Sequence, residues 1–223
     1  MRGAVVIPSF NEAETIARVI AEVRQVAPDL DVIVVNDCST DDTEAVLREC
    51  GVIALHLVLN LGAWGATQAG LRYAAGNGYD YVVTMDADGQ HLPSTLPALI
   101  NRFMEDTDAV VIGECVGRGS RYRRLAWRYF RVITGLSVED LTSGLRVYGR
   151  RAMEVLSARE ATMLEYQDVG VLLLLKENDF AIHEVSIEMR DRIVGSSHVF
   201  RTWMSVLYYM VYTSIMSLAK LAR

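Results

Sequence analysis

Through the first half of the chain, short runs of β-branched residues alternate with stretches of helical period, and few folds accept that alternation. Ala4–Ile7 (AVVI) reads as a strand, and Glu12–Val26 as a helix with apolar residues at Ile16, Val19, Ile20 and Val23. Asp31–Val35 (DVIVV) is the next strand and Asp41–Glu49 the next helix. A weaker strand around Val52–Val58 precedes a helix beginning near Gly65. Tyr81–Met85 (YVVTM) is a buried strand, Ser94–Phe103 a helix, and Ala109–Ile112 one more strand. Strands joined by helices imply right-handed crossovers and an α/β, Rossmann-like architecture: a mostly parallel twisted sheet flanked by helices. A chain of 223 residues with 51% hydrophobic content fills one substantial core, or one domain with an appendage.

Ligands of such sheets bind beyond the carboxyl ends of the strands. That rule selects Pro8–Glu12, Asn36–Ser39 and Asp86–His91, and it expects Asp37, Asp86 and Asp88 on one rim. The stretch Val82–Pro93 (VVTMDADGQHLP) ends an apolar run in two aspartates one residue apart. In an extended chain, residues i and i+2 point to the same side, and like charges that close repel unless a cation sits between them. A solvated turn is the competing reading of a stretch rich in Asp and Gly. A third carboxylate on the rim weakens it.

The second half changes character. Between Cys115 and Val138 there is no acidic residue but six arginines: Arg118, Arg121, Arg123, Arg124, Arg128 and Arg131. On a helix, Arg121, Arg124, Arg128 and Arg131 line one face and repel one another, a penalty that a bound anion removes. Tyr122, Leu125, Trp127, Tyr129 and Val132 supply the apolar and aromatic neighbours that a helix at a lipid headgroup layer needs. A basic helix folded against the protein's own acidic residues is the alternative. Thr202–Ala219 runs 18 residues without a charge, the minimum for a membrane span, yet it is rich in Ser, Thr and Tyr. A helix lying in the membrane surface, one sealing a homo-oligomer, and a short span all remain open for it.

A net charge of −6 argues against nucleic-acid binding. The mean hydropathy of +0.19 indicates an apolar surface somewhere. Cys38, Cys50 and Cys115 show no C-x-x-C spacing, so neither a disulfide framework nor a zinc site is expected and a reducing compartment is. The N-terminus enters GAVVIPSFNE directly, without the pattern of a signal peptide, so the cytoplasmic side is the expectation.

Several separated motifs in order resemble the inverting family 2 glycosyltransferases of GT-A fold, in particular the polyprenyl-phosphate sugar transferases such as dolichyl-phosphate mannose synthases. VVIPSFNE resembles the family's opening strand and loop, which implies that Pro8, Phe10 and Glu12 line the nucleotide pocket. VVNDCSTDDT is similar to V-V-D-D-G-S-x-D-x-T, with Asp37 implied to accept a hydrogen bond from the base and Cys38 in the usual place of glycine. NLGAWGATQAG resembles N-x-G-x-G-x-A and retains Asn60, Gly62 and Ala66, while Trp64 stands where a small residue is usual. MDADGQH is similar to the DxD metal motif, with Gln90 as a donor contact. DLTSGLRVYGRRAM resembles D-x-T-S-G-F-R, matching Asp140, Ser143 and Arg146. EYQDVGVLLLL would carry an acidic Glu165 near the acceptor, and RDRIVGSSH resembles R-x-x-G-x-S-K, matching Arg192, Gly195 and Ser197. His198 replaces the lysine, so its contact with a phosphate would fade as pH rises.

The resemblance implies transfer of a sugar from a UDP- or GDP-linked donor, with Mg²⁺ or Mn²⁺ held by Asp86 and Asp88 neutralising the leaving pyrophosphate. Asp88 is the expected direct ligand; Asp86 reaches the ribose or acts through water. A hydroxyl acceptor needs a base, Asp140 or Glu165. A polyprenyl phosphate is already anionic and needs cations, here Arg121, Arg128, Arg131 and Arg192, with Ser143, Ser197 and His198 beside them. Residues 1–198 are expected to form the GT-A domain, with a nucleotide-binding half (1–113) and an acceptor-binding half (114–198), and 199–223 a C-terminal amphipathic helix for the membrane interface or for oligomerisation. A transferase acting on a glycan hydroxyl, and a non-catalytic partner of a membrane enzyme, are the alternatives. A dinucleotide-binding fold and a P-loop are disfavoured, since IPSFNE lacks their glycines.

Overall fold

The computed structural model of the protein describes residues 1–115, 121–164, 168–190 and 210–214, with the backbone alone for 121–125. Strand β1 (Gly3–Ser9) pairs in parallel with β2 (Asp31–Asn36) on one side and β4 (Tyr81–Thr84) on the other, and β3 (Ile53–His56) extends the sheet beyond β2. Helices α1 (Ile16–Val26), α2 (Thr43–Cys50) and α3 (Gly62–Gly76) make the crossovers. A short 3₁₀ turn (Pro93–Thr95) and α4 (Leu96–Glu105) lead to β5 (Val110–Glu114). Then come α5 (Arg121–Thr134), β6 (Arg146–Gly149), α6 (Arg150–Ser157), α7 (Arg159–Thr162), α8 (Val169–Glu177) and β7 (Ile182–Ser186).

The seven strands are ordered β3-β2-β1-β4-β6-β5-β7. Strand β6 enters between β4 and β5 and is antiparallel to both, while β7 closes the edge parallel to β5. The parallel half therefore follows the expected alternation, and both halves of the chain share one sheet. Helix α1 begins at Ile16, the first residue of its apolar period and four residues after the expected Glu12, because Glu12–Thr15 form a turn in which the Glu12 carbonyl accepts the N–H groups of Thr15 and Ile16.

Side chains of the strands alternate between two cores. Ala4, Val6, Ile33, Val35 and Val82 meet Leu71, Phe130, Met153 and Leu172 on one face. Val5, Ile7, Val32, Val34 and Val83 meet Ile16, Val19, Leu99 and Phe103 on the other. Helix α3 lies so close to β1 that a Cβ on Gly70 would come within 2.3 Å of Val6 Cγ1. The same helix grips the α6–α7 link: Trp64 Nε1 donates to the Ala161 carbonyl (2.8 Å), Gln68 Nε2 to that of Leu156 (2.9 Å) and Arg72 Nε to that of Ser157 (2.9 Å).

Candidate active site

The carboxyl ends of β2, β1 and β4 lie side by side, so the loops after Ser9, Asn36 and Thr84 share one rim, and Asp37, Asp86 and Asp88 with them. The first loop is tied to the second. Thr40 N–H donates to Asn11 Oδ1 (2.8 Å), Asn11 N–H to Ser39 Oγ (3.0 Å) and Glu12 N–H to Thr43 Oγ1 (3.0 Å). Asp41 accepts from the Thr43 hydroxyl and N–H and from Ala13 N–H. Burial works against the charge on Asp41, but those hydrogen bonds outweigh it and hold the carboxyl below its ordinary value. Phe10 is exposed at this edge, Pro8 is half-buried in β1, and the half-buried Glu12 accepts the Thr15 hydroxyl (2.7 Å). Cys38 sits at φ +60°, which explains why glycine suits that turn.

Asp37 is buried at 2% exposure, and its Oδ1 accepts Leu61 N–H at 2.7 Å, just before α3. Asn60 completes this corner: its Nδ2 donates to the Asp37 carbonyl (3.1 Å) and its Oδ1 accepts Gly62 N–H (3.2 Å). Ala66 lies inside the core. Desolvation pushes the Asp37 carboxyl up, and the N–H groups of Leu61 and Gly62 pull it partly back. A raised folded pKa means that the stabilising contribution is complete below the unfolded value and is lost as pH rises through the folded one. Asp37→Asn keeps an oxygen for Leu61 N–H and removes the buried charge. Thermal melts between about pH 3.5 and pH 8 should show this variant gaining on the parent as pH rises. A Tm difference that shrinks with rising pH would contradict the assignment.

Strand β4 ends at Thr84, so Asp86 leads into a turn that holds Asp88, and the same-side argument for an extended chain does not apply to them. They differ instead in depth. Asp88 is 8% exposed and its Oδ1 accepts Gln90 N–H (3.0 Å), whereas the Asp86 side chain is 40% exposed. His91, which no spacing in the sequence marks, is buried behind them. Its Nδ1 accepts Asp86 N–H (3.2 Å), which leaves the ring proton on Nε2. His91 also bridges to Met189, and Arg190 N–H donates to the Gln90 carbonyl (2.8 Å), so Met189 and Arg190 lie along this turn. Among the described residues no group of three or more His, Cys, Asp or Glu gathers as a metal cluster.

The segment 139–145 approaches Asp86 from the other side. A Cβ on Gly144 would fall 2.6 Å from Asp86 Oδ1, and the Thr84 hydroxyl donates to the Gly144 carbonyl (2.7 Å). Asp140 is 2% exposed and engaged on both oxygens: Oδ1 accepts Thr142 N–H (3.1 Å) and the Thr142 hydroxyl (3.2 Å), and Oδ2 accepts Cys115 N–H (3.4 Å). Ser143 is buried as well, its Oγ accepting Leu145 N–H (3.3 Å), so its hydroxyl serves the turn. Arg146, at 0% exposure, donates to the carbonyls of Ser143 (2.8 Å) and Leu141 (3.1 Å).

On helix α5, Arg128, Tyr129 and Val132 are exposed, but Trp127, expected beside them at a lipid headgroup layer, is buried with Phe130 in the core, where its large apolar ring packs under the sheet. Arg131 forms an ion pair with Glu139, at the start of the same turn that touches Asp86. Of the four arginines, only Arg128 and Arg131 have described side chains, and Arg131 has an internal acidic partner, as the alternative reading of the basic helix held. The Arg121 side chain, Glu165, Arg192, Ser197 and His198 lie outside the described residues.

A strand–loop rim that pairs an Asp-x-Asp turn with an Asp-x-Thr-Ser-Gly turn agrees with what sequence comparison finds: the profile of "Glycosyl transferase family 2" matches residues 4–156. The chain belongs to glycosyl transferase family 2. Among its relatives in that family, undecaprenyl-phosphate mannosyltransferase of Micrococcus luteus is 34% identical over 214 residues, 88% of this chain and 87% of that protein. Polyprenol monophosphomannose synthase of Mycolicibacterium smegmatis is 31% identical over 220 residues, 88% of this chain and 80% of the other. Glucosyl-3-phosphoglycerate synthase from Mycobacterium tuberculosis, solved with Mn²⁺, uridine diphosphate and phosphoglyceric acid, shares the fold with a TM-score of 0.74 at 21% identity, over 98% of this chain and 78% of that one. The fold is GT-A, and the protein is a family 2 glycosyltransferase.

Proposed function

We propose that this glycosyltransferase moves a sugar from a nucleotide-diphospho-sugar, UDP- or GDP-linked, to a polyprenyl phosphate on the cytoplasmic surface of the membrane, with Mg²⁺ or Mn²⁺ at Asp86 and Asp88. The relatives named above act, by their names, on polyprenol and undecaprenyl phosphate. The observation that carries the reading is the 139–145 segment, which touches Arg131 through Glu139 at one end and Asp86 through Gly144 at the other. It joins the arginine-bearing helix α5 to the acidic turn.

Two carboxylates fit a divalent ion that completes its shell with diphosphate oxygens and water, since such ions take one or two carboxylates plus substrate phosphates. Bound there, the ion would neutralise charge growing on the leaving diphosphate. Asp37, Asn60 and Gly62 stand on the same rim for the nucleotide. Asp140 supports a phosphate acceptor over a hydroxyl one, because a carboxylate engaged by Thr142 and Cys115 is poorly free to take a proton. A lipid phosphate oxygen attacks the anomeric carbon without a base. The carbon–oxygen bond to the diphosphate breaks, and the nucleoside diphosphate leaves.

The segment 210–214 is helical and rests on the body of the protein. Tyr129 Oη lies 3.2 Å from Ser214 Oγ, and the Tyr212 hydroxyl donates to the Met163 carbonyl (3.2 Å). Val132 (84% exposed), Met163 (75%) and Val211 (51%) stay uncovered nearby, which supports a membrane-facing side. Among the described residues no helix is long and apolar enough to cross a membrane.

The test is transfer of radiolabel from a panel of UDP- and GDP-sugars to polyprenyl phosphate, followed by mild acid. A product cleaved far faster than an ordinary glycoside is expected; an acid-stable product, or none, would overturn the acceptor. Gly144→Ala probes the metal reading, since its methyl group must displace the Asp86 carboxylate. It should raise the Mn²⁺ concentration for half-maximal activity by about 10–100-fold. An unchanged metal titration would remove Asp86 from the site.

A further inference from the structure

Strand β7 contributes a carboxylate that the transfer reaction has not so far used. Glu184 Oε1 accepts Glu139 N–H (2.8 Å) and Asp140 N–H (3.2 Å), and Oε2 accepts Glu139 N–H (3.0 Å). These are the N–H groups that open the segment running on to Gly144. At the grip, Glu139 carries the ion pair to Arg131 and Asp140 binds Thr142 and Cys115; beyond it, Gly144 rests against Asp86.

We propose that Glu184 is a positioning residue for the acceptor side of the site, fixing the backbone of Glu139 and Asp140 so that Arg131 and the Gly144 turn hold their places opposite the acidic turn. The proposal rests on Arg131 being a contact of the acceptor phosphate.

Its surroundings make the carboxylate costly as a mere brace. Burial pushes the Glu184 carboxyl up, the N–H groups of Asp140 and Glu139 draw it back, and the negative charges of Glu114 and Glu139 add to the rise. An apolar residue in a half-buried strand position would avoid this cost, but it would leave the two N–H groups without their acceptor. The grip is on backbone rather than on side chains. Substitutions of the gripped side chains therefore do not reproduce its loss, and Glu184 must be altered directly.

Four variants of the full chain separate the outcomes, assayed with a nucleotide-sugar donor and polyprenyl phosphate in detergent micelles. Glu184→Met keeps the side-chain length and removes the acceptors. It should raise the acceptor KM by about tenfold with the donor KM within about twofold. Glu184→Ser, which leaves room for water at the two N–H groups, should show the same split and stands in if the Met variant does not fold. Glu184→Gln retains one oxygen able to accept both N–H groups, and should leave both constants within about twofold of the parent. Arg131→Ala should raise the acceptor KM on its own. A lower Tm with unchanged acceptor KM in the Met and Ser variants, while Arg131→Ala raises it, would reduce Glu184 to a brace and overturn the proposal alone. Loss of kcat in Glu184→Gln would make the carboxylate a proton acceptor and overturn positioning. An acceptor KM unmoved by Arg131→Ala would bring down the acceptor reading, and the proposal with it.

Discussion

Asp88→Ala should lower the rate of sugar transfer by about three orders of magnitude, since a divalent ion at a leaving diphosphate is worth several kcal/mol of transition-state stabilisation. Asp88 is the deeper of the two carboxylates, and its Oδ1 also accepts Gln90 N–H. An alanine therefore removes both a charge and a turn contact, and the two must be separated. Asp88→Asn does this, because its oxygen can still accept Gln90 N–H while the charge is gone. Both variants should lose transfer, and only the alanine should also loosen the turn. Steady-state rates across a Mn²⁺ titration, with circular dichroism melts in parallel, give the comparison. Near-normal turnover in either variant would remove Asp88 from the reaction.

The largest effect on stability is expected far from the chemistry, at Trp64. The indole is 2% exposed, lies in the core between α3 and the α6–α7 link, and donates to the Ala161 carbonyl. Trp64→Ala leaves a cavity and an unpaired carbonyl together, and should cost about 3–5 kcal/mol. In a chain of this size that is a Tm drop of roughly 6–20 °C. Trp64→Phe fills most of the volume and loses only the N–H, so it should cost about 1–3 kcal/mol. Chemical denaturation of the parent and the two variants measures this, with activity per folded molecule little changed. An alanine variant within about 1 kcal/mol of the parent would show that α3 does not clamp that link.

Trp64 also shows how the sequence can mislead. It lies inside a motif that resembles a donor-binding loop, where a large residue looks like a departure in the site. The helical period held the better signal: Trp64, Thr67, Gln68, Leu71 and Ala74 are all buried along one stripe of α3. The parallel strands β1, β2 and β4 were legible because buried parallel strands read as unbroken β-branched runs. β6 was not, since its four residues begin with Arg146, a charge that normally marks a surface and here lies buried, donating to two carbonyls. β7 was hidden for a related reason: His183 and Glu184 interrupt its apolar pattern on a half-buried edge.

The rim of the site was legible for a topological reason, because residues after parallel strands must gather at one edge. What could not be read was depth. Nothing in DADGQH distinguishes the buried Asp88 from the more open Asp86, or places His91 behind them as the acceptor of a backbone N–H. Likewise, the motif DLTSG marks Asp140 and Ser143 without revealing that both side chains are engaged within the turn. The partner that grips this turn, Glu184, comes from 44 residues further along the chain, a distance no local pattern spans.

The proposed chemistry turns on a divalent ion shared between the acidic turn and a nucleoside diphosphate. Crystals grown with MnCl₂ and either uridine or guanosine diphosphate, measured at the manganese edge, test it most directly. One strong anomalous peak is expected in contact with the Asp88 carboxylate and the diphosphate oxygens, with Asp86 beside it. A nucleotide bound on this rim with no manganese touching either aspartate would contradict it.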